Sequence, residues 1–222
     1  PQPMMRLLTT LLLTAVCTAC GGPSRDGNAF TFDEAGMAYR VEFRTENTVR
    51  ILVRPAGSPL VTQRLVVDSV PAAPVAVRRE AIEHGYAFRT PQLRVEFDRT
   101  RGLFSFRDAR TDTLLLAETA RSLRPDTVGG EACYAVTQRF AGTDDEALYG
   151  LGQYQTGALN YKRDTVLLLQ ANKDIVNPYL VSTRGFGLLW DNYSASEFRD
   201  GDDAFEFTSE VGDAVDYWFV YG

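Results

Sequence analysis

The chain is poor in the residues that most enzymes use for nucleophilic or metal chemistry. It has one histidine, His84, in 222 residues. A histidine-rich zinc site is therefore excluded, and any Ser-His-Asp arrangement would have to use that residue, which lies between Glu83 and Gly85 with no supporting motif. Its three cysteines are Cys17, Cys20 and Cys133. Two of them lie in the leader, so Cys133 has no partner for an internal disulfide and is expected as a small buried apolar residue. No Walker loop is present, and Gly150-Leu151-Gly152 lacks the third glycine and following helix of a dinucleotide site, so no cofactor is expected. Basic residues never cluster beyond two or three, and the net charge is −6, which argues against a nucleic-acid partner. No convincing amphipathic helical period appears either.

What is present is 45% hydrophobic and 23% charged sequence with glycine and proline throughout, the composition of a folded globular domain. Thirteen Phe and ten Tyr suit half-buried strands. Residues 1–20 read as a signal peptide: Arg6 precedes an apolar run of about a dozen residues, too short to span a bilayer. Its Thr18-Ala19-Cys20-Gly21 ending resembles a bacterial lipobox, with Cys17 where leucine is usual. The expectation is lipidation at Cys20 and a membrane partner through that anchor in the bacterial cell envelope; plain secretion is the alternative. Residues 21–29, rich in Gly, Pro, Ser and charge, read as a tether. The chain opens on Pro1, not methionine, and is expected to be part of a longer reading frame.

From residue 30 to 222 the pattern is strand after strand. Tyr39, Val41 and Phe43 alternate with Arg40, Glu42 and Arg44, and Leu93, Val95 and Phe97 with Arg94, Glu96 and Asp98. Glu46-Asn47 and Arg101-Gly102 read as hairpin turns. Val75–Val77 and Ala81–Phe88 read as weak strands. Leu114–Leu123 fits a strand better than a short helix, and Glu131–Phe140 alternates imperfectly. Asp144-Asp145-Glu146 reads as a solvated acidic turn, without the spacing of a calcium loop. Trp218–Val220 lacks alternation and is expected to be buried on both faces, against a following domain. These short, closely spaced strands predict one all-β sandwich.

The densest stretch is Tyr149–Asn192. Gly150-Leu151-Gly152-Gln153 opens it. Val166–Leu169 then runs into the polar set Gln170, Asn172, Lys173 and Asp174, followed by Pro178-Tyr179 and Gly185-Phe186-Gly187-Leu188-Leu189. A loop dense in hydrogen-bonding side chains between strands is a favourable place for a binding site. Asp164, Asp174, Asp191, Glu197, Asp200 and Asp216 are the carboxylates available for paired acid–base work, but no spacing among them demands proximity. Tyr179 and Trp190 are either sugar-stacking platforms or core aromatics, the latter favoured at strand positions.

The order of these three motifs resembles the N-terminal galactose-mutarotase-like β-sandwich of glycoside hydrolase family 31, the α-glucosidases and α-xylosidases. The resemblance implies a (β/α)8 barrel that carries both catalytic aspartates and follows this domain, hence no catalytic residue within the 222 residues and no activity of this piece alone. It implies a carbohydrate substrate, retaining exo-hydrolysis, and a loop of this domain reaching over the sugar pocket. Many members carry Asn-Arg-Asp there; here the matching residues are Asn172, Lys173 and Asp174. Lysine in place of arginine loses the planar fork of donors. The alternative reading is a non-catalytic, surface-anchored glycan-binding lipoprotein.

Overall fold

The computed structural model describes residues 22–59, 66–67 and 72–222. The expected signal peptide and lipidation site, residues 1–20 with Cys20, lie outside the described residues. Two antiparallel sheets face each other, and no helix occurs among the described residues. The first sheet runs, in spatial order, β1 (Ser24–Asp26), β2 (Ala29–Glu34), β3 (Met37–Phe43), β4 (Thr48–Pro55), β17 (Val215–Tyr221), β14 (Phe186–Trp190), β13 (Ile175–Ser182) and β11 (Leu148–Gln153). The second runs β12 (Thr165–Leu168), β15 (Ser196–Asp200), β16 (Ala204–Gly212), β10 (Glu131–Ala141), β9 (Leu114–Val128), β8 (Leu103–Asp108), β7 (Leu93–Asp98), β6 (Gly85–Arg89) and β5 (Arg78–Ile82). The all-β expectation therefore holds.

The alternating residues of β3 and β7 supply the core as their period requires: Val41, Phe43, Leu93, Val95 and Phe97 are all fully buried. Aromatic pairs join the sheets. Phe106 of β8 stacks on Phe219 of β17 with ring centroids 4.2 Å apart, and Phe97 of β7 meets Tyr39 of β3 at 4.7 Å. Offset or tilted pairs of this kind add to the apolar area they bury. Cys133 is buried and free, as its composition argument expected.

Several local expectations need correction. The 21–29 tether is shorter than its composition suggested, because Ser24–Asp26 pairs with Ala29–Thr31 around Gly27, whose φ of 57° closes the turn. Val75–Val77 is not a strand; pairing begins at Arg78. Leu114–Leu123, by contrast, is strand as expected, the first part of the fifteen-residue β9. The broken alternation of Glu131–Phe140 reflects register shifts in β10, at Tyr134/Val136 against β16 and at Arg139/Phe140 against β9. Within the acidic turn, Asp144 and Asp145 are exposed but Glu146 is buried, where it accepts a hydrogen bond from Ser182 Oγ. Trp218 is buried on the outer face of the first sheet by this chain's own groups, with the Arg50 guanidinium 5.7 Å from its ring. No second domain is needed to explain its burial.

Candidate functional site

The loop between β12 and β13 is shaped by a tight reversal. Ala171 and Asp174 form an isolated antiparallel bridge, their amides and carbonyls exchanging hydrogen bonds at 3.3 and 3.4 Å. Asn172 and Lys173 therefore sit at the tip, exposed, with Asp174 half-buried at the base. Gln170 braces the reversal: its Nε2 donates to Asp174 O at 3.1 Å and its Oε1 accepts from Val176 N at 3.1 Å. The three residues singled out in sequence are thus adjacent, on a backbone that is tied down.

The floor beneath the loop comes from β11. Gly150, Leu151 and Gly152 all have positive φ, at 103°, 61° and 114°. Between the pairs Gly150↔Leu180 and Gly152↔Val176, β13 carries three residues opposite Leu151 alone. Pro178 is one of the three, and a residue without an N–H belongs at such an interruption of a ladder. Leu151 itself is fully buried, which anchors the irregularity in the core. Tyr154 donates its hydroxyl to Leu151 O at 2.9 Å and meets Tyr161 edge-on. Burial first, then Tyr161 and the Asp174 carboxylate, push the Tyr154 phenol up to about 12, so it stays a donor beside Asp174.

The remaining carboxylates separate into structural and clustered groups. Asp164 caps Thr165 N at 2.7 Å. Asp200 is buried, 3.1 Å from Lys162 Nζ and accepting from Arg163 N at 2.6 Å. Glu197 is exposed on β15. Asp191, just after β14, and Asp216, in β17, come to one cavity of ≈ 320 Å³ at the end of the first sheet. Sequence spacing could not show this, since it depends on β14 pairing with β17. Asp216 takes Arg50 in a two-pronged contact, with Nε at 2.6 Å and Nη2 closer still. Asp191 accepts from Trp218 Nε1 at 3.1 Å and from Tyr193 OH at 2.8 Å. Both carboxylates therefore already hold two donors each. Among the described residues no group of three or more His, Cys, Asp or Glu could hold a metal. Trp190 is a core residue, its Nε1 donating to Ser209 Oγ at 2.8 Å, and is no stacking platform. Tyr179 lies half-buried over Gly187, where any Cβ would meet its hydroxyl at 2.2 Å.

Burial pushes the Asp216 carboxyl up to about 6; Arg50 opposes that shift, and Asp191 and Glu42 reinforce it. The folded value lies above the ordinary 3.8. The folded state therefore binds this proton more tightly than the unfolded chain does. The stability it adds is complete below about pH 4 and is lost as pH rises through about 6. The carboxyl carbon resonance of Asp216 is expected to titrate with a midpoint near 6; a midpoint in the ordinary range would contradict this.

A protein-family model described as the glycosyl hydrolase 31 N-terminal galactose mutarotase-like domain matches residues 38–198. An α-xylosidase of Saccharolobus solfataricus is 28% identical over 199 residues, covering 84% of this chain and 26% of that protein. α-Xylosidase A of Aspergillus niger is 29% identical over 118 residues, covering 51% of this chain and 16% of the relative. Among solved structures, the GH31 α-xylosidase of Xanthomonas citri superposes with a TM-score of 0.73 at 32% identity, over 79% of this chain and 20% of that one. A GH31 α-xylosidase from a soil metagenome, complexed with xylose, shares the fold with a TM-score of 0.79 at 24% identity, over 91% of this chain and 32% of that one. The chain spans about a quarter or less of the length of the curated relatives it matches.

Proposed function

Because this chain belongs to glycosyl hydrolase family 31, as its N-terminal galactose mutarotase-like domain, we propose that it serves a retaining, exo-acting α-glycosidase that removes α-xylosyl or α-glucosyl units from oligosaccharides and polysaccharides. The observation that carries the reading is the family match over residues 38–198, with relatives named as α-xylosidases beside it. Those relatives favour xylose over glucose.

In this reading the reacting carboxylates belong to the catalytic barrel, one forming the glycosyl-enzyme and the other acting as acid and then base. This chain's own residues bind and orient. Asn172 offers an amide donor and acceptor, Asp174 accepts from sugar hydroxyls, and Lys173 supplies a mobile cation. The braced reversal under them limits the entropy lost when sugar binds. The outer face of β13 and β14 gives the barrel its seat. The half-buried Tyr179 and Leu189 are cross-strand neighbours, and Val181 and Val220 flank Gly187 in the next row. Such contiguous apolar surface suits a protein interface better than open solvent. In the same reading, a lipid on Cys20 holds the enzyme at the bacterial cell envelope.

The test is hydrolysis of aryl α-glycosides by the parent protein. Release from an aryl α-xyloside at higher kcat/KM than from the α-glucoside is expected, with no release from the β-anomers. Asp174→Asn should raise KM by about tenfold, the equivalent of one lost hydrogen bond to a charged group. Cleavage of β-glycosides only, or an unchanged KM in Asp174→Asn, would overturn the respective part of the reading.

A further inference from the structure

We infer that the cavity beside Arg50 and Asp216 is a second saccharide-binding site, built from side chains other than those of the Asn172–Asp174 loop. The choice of a sugar as its ligand rests on the glycosidase reading above; the existence of the site rests on the cavity itself.

At ≈ 320 Å³ the cavity sits at the small end of the range of ligand pockets, about 300–1,000 Å³. That size suits one sugar unit better than a long chain. Its wall combines Arg50, Arg54, Asp191, Asp213 and Asp216, with Tyr193 at the rim. Arg50 is buried to 2% exposure, and Asp191 to 8%. An ionised carboxylate offers about four acceptor positions. Asp216 uses two for Arg50, and Asp191 uses two for Trp218 and Tyr193. Acceptor capacity therefore remains on both, turned toward a cavity whose wall also carries guanidinium donors. An anion would face three aspartates, a cation two arginines, and an apolar ligand would strip water from all of them at a cost. A neutral polyol is the chemistry that fits both signs, since each hydroxyl donates to a carboxylate and accepts from a guanidinium. Tyr193, a residue 52% exposed, adds an aromatic edge of the sort that packs on a sugar C–H face.

Placement gives the site a use. Asp191 follows the last residue of β14, Asp216 is the second of β17, and β13 starts at Ile175, immediately after Asp174. Since β13 and β14 are antiparallel neighbours, in register at Tyr179↔Leu189, the loop and the cavity open at the same end of the sheet. A branched or extended glycan held at the loop could place a further residue in the cavity, with strands spaced by about 4.8 Å setting the reach.

The chain contains two tryptophans, and both indole N–H groups have assigned partners. Trp218 donates to Asp191 in the cavity wall, whereas Trp190 donates to Ser209 in the core. Titrating the ¹⁵N-labelled 222-residue chain with D-xylose and D-glucose at millimolar concentrations is expected to move the Trp218 indole resonance saturably while Trp190 stays fixed. Tyr193→Ala and Asp213→Asn, both at exposed positions, are expected to weaken that response by about tenfold or more, and an unmoved Trp190 resonance reports that they remain folded. No saturable shift, an equal shift with glycerol, or a response removed by Asp174→Asn but kept in Tyr193→Ala would each overturn the cavity site. The aryl-glycoside assay of the parent protein reads the glycosidase function independently, so failure of one is distinguishable from failure of the other.

Discussion

Replacing Glu118 with alanine is expected to destabilise the domain by about 3–5 kcal/mol, the cost of removing one partner from a buried ion pair. The Glu118 side chain is fully buried between the sheets. Its Oε2 accepts from Phe104 N at 2.7 Å and from Arg121 Nη2 at 2.5 Å, and its Oε1 accepts from Tyr217 OH at 2.7 Å. Arg121 spends its other donors on Gln138 Oε1 at 2.9 Å and Gly102 O at 2.8 Å. The network therefore ties β9, β8, β10 and β17 across the sandwich. Burial, and then Glu118, push the Tyr217 phenol well above its ordinary value, so it remains a donor throughout the useful pH range. In the alanine variant the guanidinium, the phenol and the Phe104 amide would all lose their acceptor in a place water does not reach. A domain of ordinary stability, about 5–15 kcal/mol, would lose a third or more of it. Urea unfolding followed by tryptophan fluorescence measures this as a fall in the midpoint. The double variant Glu118→Leu with Arg121→Met is expected to lose less than Glu118→Ala, because no charge is then stranded. An alanine variant with an unchanged midpoint would contradict the account.

Much of the fold was legible because alternation is a local property. The buried faces of β3 and β7 follow from Tyr39, Val41, Phe43 and Leu93, Val95, Phe97 with no knowledge of their neighbours. Strand pairing is not local. Glu118 meets Tyr217 across 99 residues, and Arg50 meets Asp216 across 166. Asp191 and Asp216 both stood among the carboxylates, but their convergence needs the order β4–β17–β14, which no spacing encodes. Composition misled where backbone pairing decides: Ser24–Asp26 reads as tether yet adds a strand, since its amides find partners across Gly27. The loop at Asn172–Asp174 was legible from its residue types. Its support was only half so. The two glycines of Gly150-Leu151-Gly152 announced an unusual backbone, but the positive φ of Leu151 and the three β13 residues opposite it belong to the pairing, not to the motif.

That support carries the second large effect. Gly152→Ala is expected to destabilise the domain by about 2–5 kcal/mol, combining overpacking with backbone strain. A Cβ at Gly152 would lie 2.0 Å from Ile175 O and 2.8 Å from Asn177 N, both backbone atoms of β13 that no rotamer change can move aside. Its φ of 114° adds a conformation that alanine adopts only with strain. Ile175 follows Asp174 directly, so relief of the clash must displace the base of the Asn172–Asp174 reversal. Gly57→Ala separates the two causes. Gly57 also has positive φ, at 82°, but a Cβ there meets nothing within 4 Å, so that variant bears backbone strain alone, about 1 kcal/mol. In the parent glycosidase, Gly152→Ala is then expected to raise KM for the aryl α-glycoside well beyond any change in Gly57→Ala, under conditions where both remain folded. Equal stability loss in the two variants would show that the β11–β13 contact is not what holds the loop. A larger loss in Gly152→Ala with an unchanged KM would show that the loop's position does not govern substrate binding.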